Sequence, residues 1–162
     1  MRATVEKLFA AGAHYGYVKA RRHPSAQKFI FGAKNGVDIF DLEKSVEMLA
    51  SVEAYVQSLA ATGKQILFVG GKLEAQPIIR RIGESLEQPF VAGRYVGGTL
   101  SNFALIRKRV EKLMTLIDER DKGELVKYTK KERLMIDREI KRLEATFGGL
   151  RPMRSLPGAV FV

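Results

Sequence analysis

A chain of 162 residues with 46% apolar content is sized for one ordinary domain and can bury a real core, which excludes wholesale disorder. Lys and Arg total 28 against 18 Asp and Glu, leaving a formal charge of +10 and a pI near 9.9, a field that favours polyanions such as nucleic acid or an anionic membrane surface. The absence of cysteine excludes disulfides, thiolate zinc sites and Cys nucleophiles, and His14 and His23 cannot by themselves complete a tetrahedral metal site. Neither a signal peptide nor an apolar run near the roughly 20 residues of a membrane span is visible. The chain reads as a soluble, intracellular, polyanion-seeking protein with no membrane partner and no cofactor.

The charge is uneven. Residues 1–35 carry seven basic and one acidic side chain, residues 36–93 five and eight, and residues 94–162 sixteen and nine. Basic material therefore brackets a neutral-to-acidic middle.

In chain order, Val5, Leu8 and Phe9 share one face of a short helix that Thr4 can cap and Gly12 can end. Ala13 to Gln27 is aperiodic, basic and punctuated by Gly16 and Pro24, and is expected to be a loop. Two apolar runs, Phe29-Ile30-Phe31 and Val37-Asp38-Ile39-Phe40, flank Asn35-Gly36, a hairpin signal because both turn residues tolerate positive φ. Asp41 is placed to cap a long helix whose apolar residues Leu42, Val46, Leu49, Val52, Val56 and Leu59 recur at three- and four-residue steps before Gly63. Ile66 to Val69 reads as a strand buried on both faces. Leu73 to Leu86 reads as a helix with Ile78, Ile79 and Ile82 inward, and Pro89-Phe90-Val91 as a second buried strand. This alternation predicts an α/β fold with a parallel sheet covered by helices.

Beyond Gly97-Gly98, Ile106, Val110, Leu113 and Ile117 repeat at steps of four, three and four, as do Ile136, Ile140, Leu143 and Phe147. Thr129 and Glu132 form a capping box at the start of the second run. Two matching seams predict an antiparallel, coiled-coil-like helical hairpin that projects from the domain. The expected organisation is a globular α/β domain from residues 1–100 and 148–162, incomplete at its C-terminus, with residues 101–147 inserted as the hairpin. Ala159 to Val162 reads as a buried strand at which the chain stops.

Gly70-Gly71-Lys72 after a strand invites a phosphate-binding reading, and with it an alternative function as a small phosphometabolite- or nucleotide-binding protein. A Walker A loop is missing, however: Ile66 occupies the place of its first glycine and Leu73 that of its hydroxyl residue, so a tight turn is the competing use. No catalytic constellation stands out around His14, while Tyr15 and Tyr17 could stack on a base or pack on the sheet end. Lys19, Arg21, Arg22 and Lys28 cluster in the first basic segment. Arg94 and Tyr95, then Arg107, Lys108 and Arg109, form a second cluster beside a glycine-rich turn. Arg138 and Arg142 share a face of the last helix, as Lys108 and Lys112 share one of the helix before it. Each run is either a solvated face or a set of phosphate contacts. Their position beside glycine-rich loops favours RNA, bound with salt-dependent affinity and little sequence preference.

Several blocks in order carry a resemblance. They are Leu8-Phe9-Ala10-Ala11-Gly12-Ala13-His14-Tyr15-Gly16; Arg21-Arg22-His23-Pro24; Phe29 to Gly32 through Asn35-Gly36 to Ile39-Phe40-Asp41-Leu42; and Ile66 to Gly70. After them come Arg94-Tyr95-Val96-Gly97-Gly98-Thr99-Leu100-Ser101-Asn102-Phe103, Thr129 to Glu132, and Leu156 to Val162. From end to end the chain resembles the bacterial-type small-subunit ribosomal protein two family. The resemblance implies a flavodoxin-like α/β domain with a protruding helical hairpin and a non-enzymatic, architectural role. It implies binding to small-subunit rRNA and to neighbouring small-subunit proteins, among them the large mRNA-binding first protein of that subunit. Carried over by position, Arg21, Arg22, Arg94 and Arg107 to Arg109 become the expected rRNA contacts, on a cytoplasmic ribosome with an organellar one left open. Tyr17 stands where the family usually has a second His and Tyr95 where it has Trp, which weakens a metal reading and keeps ring stacking available. Family members continue past Val162 with further strand–helix–strand material, so the chain reads as truncated or reduced, with an open sheet edge at Val160 to Val162.

Overall fold

The computed structural model describes residues 4–162. The chain packs as two compact units, one ending at Thr62 and the other beginning at Gly63.

The first unit opens with helix α1, Val5–Ala10, whose Thr4 side chain accepts from the Lys7 amide at 3.4 Å, and Gly12 follows it at φ +74°. A sheet of order β1-β3-β2 comes next, antiparallel throughout: β1 is Tyr15–Val18, β2 Ile30–Lys34 and β3 Val37–Phe40. The β2–β3 hairpin turns at Asn35 and Gly36, with φ of 52° and 77°, as the Asn-Gly signal requires. Strand β1 corrects the expected loop over Ala13 to Gln27. Its aromatic and β-branched residues suit a pleated edge, and Gly16 lets the two backbones approach, since a Cβ there would lie 3.0 Å from the Asp38 carbonyl oxygen. Short 3₁₀ turns at Lys19–Arg21 and Pro24–Phe29 fill the rest of that segment. Asp41 then caps the 20-residue helix α2, Leu42–Ala61, by accepting from the Glu43 and Lys44 amides at 3.1 and 3.3 Å. Leu42 and Leu59 are buried; Leu49, Val52 and Val56 between them are exposed, so the apolar stripe is covered only toward its ends.

The second unit is a three-stranded parallel sheet flanked by helices, of order β5-β4-β6. Strand β4, Ile66–Gly70, is central; β5 is Phe90–Ala92 and β6 Ala159–Phe161. Period-two alternation divides β4 between two layers. Leu67 and Val69 join Val91, Ile106, Val110, Leu150 and Met153 in one core cluster, while Gly70 backs onto Ile79 of helix α3, Gln76–Ser85. Helix α3 begins three residues later than the pattern suggested, with Pro77 in its first turn, and Ile78 points to solvent rather than inward. Helices α4, Phe103–Asp121, and α5, Lys130–Phe147, share a second cluster of Leu113, Ile140 and Leu143 with Leu116, Ile117 and Ile136. Thr129 and Glu132 form both halves of the predicted capping box. Strand β6 forms where a strand was expected and pairs with β4, but it is not buried: Val160 and Phe161 are 41% and 50% exposed.

Candidate nucleic-acid interface

The basic side chains singled out by the sequence take up different tasks. In the first unit, Lys19 and Arg21 are exposed on the turn after β1, held there by the Lys19 amide donating to the Gly36 carbonyl at 3.0 Å. Neither forms an ion pair among the described residues. Arg22 instead reaches the buried Asp38 carboxylate at 3.4 Å, the one buried acid of that sheet, so its guanidinium is engaged in the fold. The Lys28 ammonium lies 4.9 Å above the Phe29 ring, with the Lys28 carbonyl accepting from the Lys44 ammonium at 3.2 Å. Of the four, Lys19, Arg21 and Lys28 are exposed and form no ion pair among the described residues, and are the side chains left for a phosphate.

In the second unit the turn from β5 to α4 is built by its own small residues. Thr99, buried, donates its hydroxyl to the Val96 carbonyl at 2.6 Å, Gly98 sits at φ +88°, and the Asn102 amide returns to the Gly98 carbonyl at 2.8 Å. That turn leaves Arg94 and Tyr95 exposed. Arg94 borders a groove of about 1660 Å³ along the β5 side of the sheet. Lys64, Arg80, Lys141, Arg151 and Arg154 line the same groove, against Glu84, Glu87 and Glu144. Arg151 is tied to Glu144 at 2.7 Å. Gly83 and Gly149 on the groove's wall let their segments close onto Phe90: a Cβ at either would overlap the Phe90 ring.

On α4, Arg107 is a clip within the fold, donating to the Met153 carbonyl at 3.0 Å and to Glu111 at 3.1 Å. Lys108 and Arg109 are exposed beside it. Across the helix pair, Glu139 accepts from Arg142 at 2.7 Å and from Lys112 at 3.3 Å. Arg142 first and Lys112 after it hold the Glu139 carboxyl below its ordinary value. Arg138 stays exposed and borders a shallow hollow with Lys131, Leu134, Met135 and Arg142. The structure thus brings Arg138 and Arg142 to one face of α5 and separates Arg107 from its two neighbours in role.

Sequence reasoning missed Arg80, Arg151 and Arg154 at the groove. Arg151 and Arg154 follow the same kind of glycine- and proline-punctuated turn that marked Arg94, and that chemistry was the available signal. Arg80 carried none, because nothing in a helical periodicity tells which solvent-facing residue will border a groove.

Gly70-Gly71-Lys72 resolves as a turn. A Cβ on Gly70 would stand 2.6 Å from Ile79 Cγ1, so glycine there serves strand–helix packing. The amides of Gly70 and Gly71 precede the helix by several residues and are not its first turn. Among the described residues no group of three or more His, Asp or Glu side chains could hold a metal, and no helix is long and apolar enough to cross a membrane.

The family model described as Ribosomal protein S2 matches residues 8–162. The chain belongs to the ribosomal protein S2 family. It is similar to the small ribosomal subunit protein uS2 of Roseiflexus sp. (strain RS-1), 41% identical over 159 residues, covering 98% of this chain and 61% of that relative. The uS2 proteins of Roseiflexus castenholzii (41%, 60% of its length) and Chloroflexus aurantiacus (strain J-10-fl; 39%, 67% of its length) match over the same 98% of the chain. The chain therefore spans about three fifths to two thirds of these curated relatives. In this ribosomal protein S2 chain the matched region includes both exposed basic turns, after β1 and after β5.

Proposed function

We propose that the chain is a non-catalytic, structural constituent of the small ribosomal subunit that binds small-subunit rRNA and so supports translation. The observation that carries this reading is the match to the ribosomal protein S2 family over residues 8–162, with curated relatives named as small-subunit proteins. The geometry supports it with exposed cations on turns and helix faces rather than a reaction centre: Lys19 and Arg21 after β1, Arg94 with Tyr95 after β5, Lys108 and Arg109 on α4, and Arg138 and Arg142 on α5. Arg and Lys on such turns neutralise phosphates, release counterions and position the protein without reading bases. Arg22 and Arg107 act first as internal clips and contribute to RNA through the positive field, and Lys28, exposed over the Phe29 ring, keeps its charge at the surface.

In this reading the parallel sheet belongs to a flavodoxin-like domain and the α4–α5 pair projects from it as a hairpin that extends the footprint across rRNA helices. The partners are rRNA, neighbouring small-subunit proteins and the large mRNA-binding first protein of that subunit, on a cytoplasmic ribosome. The phosphometabolite alternative loses its support with the Gly70-Gly71-Lys72 turn.

Tagged chain expressed in bacterial cells and sedimented on sucrose gradients tests the proposal. Co-migration with the small subunit at low salt, lost as salt is raised, is the expected result. Arg94→Glu combined with Arg109→Glu should shift the protein to the top of the gradient without changing its circular dichroism. Wild-type protein found only at the top at low salt would overturn the reading.

A further inference from the structure

The cations explain affinity for a phosphate backbone; the rings beside them are unused by that account. Phe9 of α1 stacks on His14 with centroids 4.4 Å apart and planes 12° from parallel. His14 in turn meets the Tyr15 ring at 4.1 Å. Tyr15 packs over Gly12, whose positive φ turns the chain back toward the ring. The cluster is tight enough to seal the His14 Nδ1 from solvent with no hydrogen-bond partner. Yet its outer members stay open: Phe9 is 60% exposed and Tyr15 67%. Tyr17, also 67% exposed, follows on β1 where the register to β3 slips, Gly16 and Tyr17 between the paired Tyr15 and Val18 opposing the single Asp38 between Ile39 and Val37. Such a bulge re-aims a side chain away from the ladder.

Three exposed or half-buried rings in contact form a π-surface. Lys7 is exposed on the helix that carries Phe9, and β1 leads directly into the exposed Lys19 and Arg21. Residues 1–35 hold seven basic side chains and one acid. Aromatic faces strung along a cationic path are what single-stranded nucleic acid recognition needs, because every base has a face to stack while the backbone follows the charge.

We propose that Phe9, His14 and Tyr15, with Tyr17, form a stacking platform for unpaired RNA bases, and that Lys19 and Arg21 hold the adjoining phosphates. The platform refines the RNA reading above and rests on it. It predicts two separable contributions: stacking that hardly responds to salt, and phosphate binding that does.

The test titrates the full chain with a fluorescently labelled 12-nucleotide unpaired RNA and with an RNA duplex of equal phosphate number, each at several salt concentrations. Tyr15→Leu with Tyr17→Leu should weaken binding of the unpaired strand roughly tenfold, leave the salt slope unchanged and spare the duplex. Tyr15→Phe with Tyr17→Phe should restore it. Lys19→Ala with Arg21→Ala should instead lower the salt slope by about 1.4. On the wild-type protein, a 2-aminopurine base in the unpaired strand should be quenched on binding, which reads stacking even where a variant folds poorly. Equal losses for both RNAs, no rescue by phenylalanine, or no quenching would overturn the platform while RNA binding stood. Wild-type protein that binds neither RNA at low salt would overturn the RNA reading itself.

Discussion

Leu42, Val46, Leu49, Val52, Val56 and Leu59 step along α2 by threes and fours, as Ile106, Val110, Leu113 and Ile117 do along α4 and Ile136, Ile140, Leu143 and Phe147 along α5. The three stripes meet different surroundings. Along α4 and α5 every member of the stripe is buried or half-buried, Leu113 and Ile140 being 0% and 1% exposed. Along α2 it is covered at its two ends and open between, with Leu49 39% and Val52 45% exposed. The α4 and α5 stripes find each other because a short polar connection returns the second helix onto the first, so each seam supplies the other's cover. Helix α2 packs with α1, which at six residues is too short to cover twenty. Periodicity therefore states that a helix has an apolar side; a partner of matching length decides whether that side becomes core.

That contrast is sharpest at single side chains. Leu113→Ala, which leaves a cavity in the α4–α5 seam, is expected to destabilise the protein by about 3 kcal/mol in chemical denaturation. Leu49→Ala, the same change on α2, is expected to cost less than about 1 kcal/mol. Comparable losses would show that α2 is covered in solution and would break the comparison. A second contrast concerns glycines. A Cβ at Gly149 would overlap both the carbonyl and the ring of Phe90, whereas one at Gly32 would meet nothing within 4 Å. Gly149→Ala should lose about 1–3 kcal/mol by overpacking, and Gly32→Ala should fall within about 0.5 kcal/mol of the parent.

The same distinction explains what could be read in advance. Local chemistry was legible: the Asn35-Gly36 turn, the Asp41 cap, the Thr129–Glu132 box and the central β4 are all set by neighbours in sequence. Long-range pairing was not. Tyr15 to Val18 looks like loop until β3 supplies its ladder, and Ile78 looks buried until α3 seats Ile79 against Gly70 and leaves its neighbour outward. At the candidate interface, sequence marked the basic runs after β1, after β5 and on α4 and α5 but could not tell Arg22 and Arg107, clipped to Asp38 and to the Met153 carbonyl, from Arg21 and Arg109, which are free to meet phosphate. Such clips join residues 16 and 46 positions apart and leave no local trace.

The smallest effects lie at the helix caps, where α2 and α5 resemble each other most. Asp41 is held below its ordinary value of 3.8, chiefly by the Lys44 side chain and amide. Glu132 is held below 4.5 by the Thr129 amide and hydroxyl, and Glu139 below 4.5 by Arg142. All three are depressed in the folded state, so the unfolded chain binds protons more readily as acid is added. Their stabilisation is fully present above those ordinary values and is lost as pH falls through the lower folded ones. The denaturation midpoint should therefore be flat, so far as these groups decide it, from about pH 6 to 8 and decline below about pH 4.5. Glu132→Gln keeps a side chain able to accept from the Thr129 amide but cannot titrate, so it should make the acid-side decline shallower while changing the neutral midpoint little. Thr129→Ala removes the hydroxyl that receives the Glu132 amide and should cost about 1 kcal/mol at neutral pH. An acid-side decline in Glu132→Gln as steep as that of the parent would mean that the α5 cap does not contribute to the pH response and that Asp41 at α2 and Glu139 in the seam carry it.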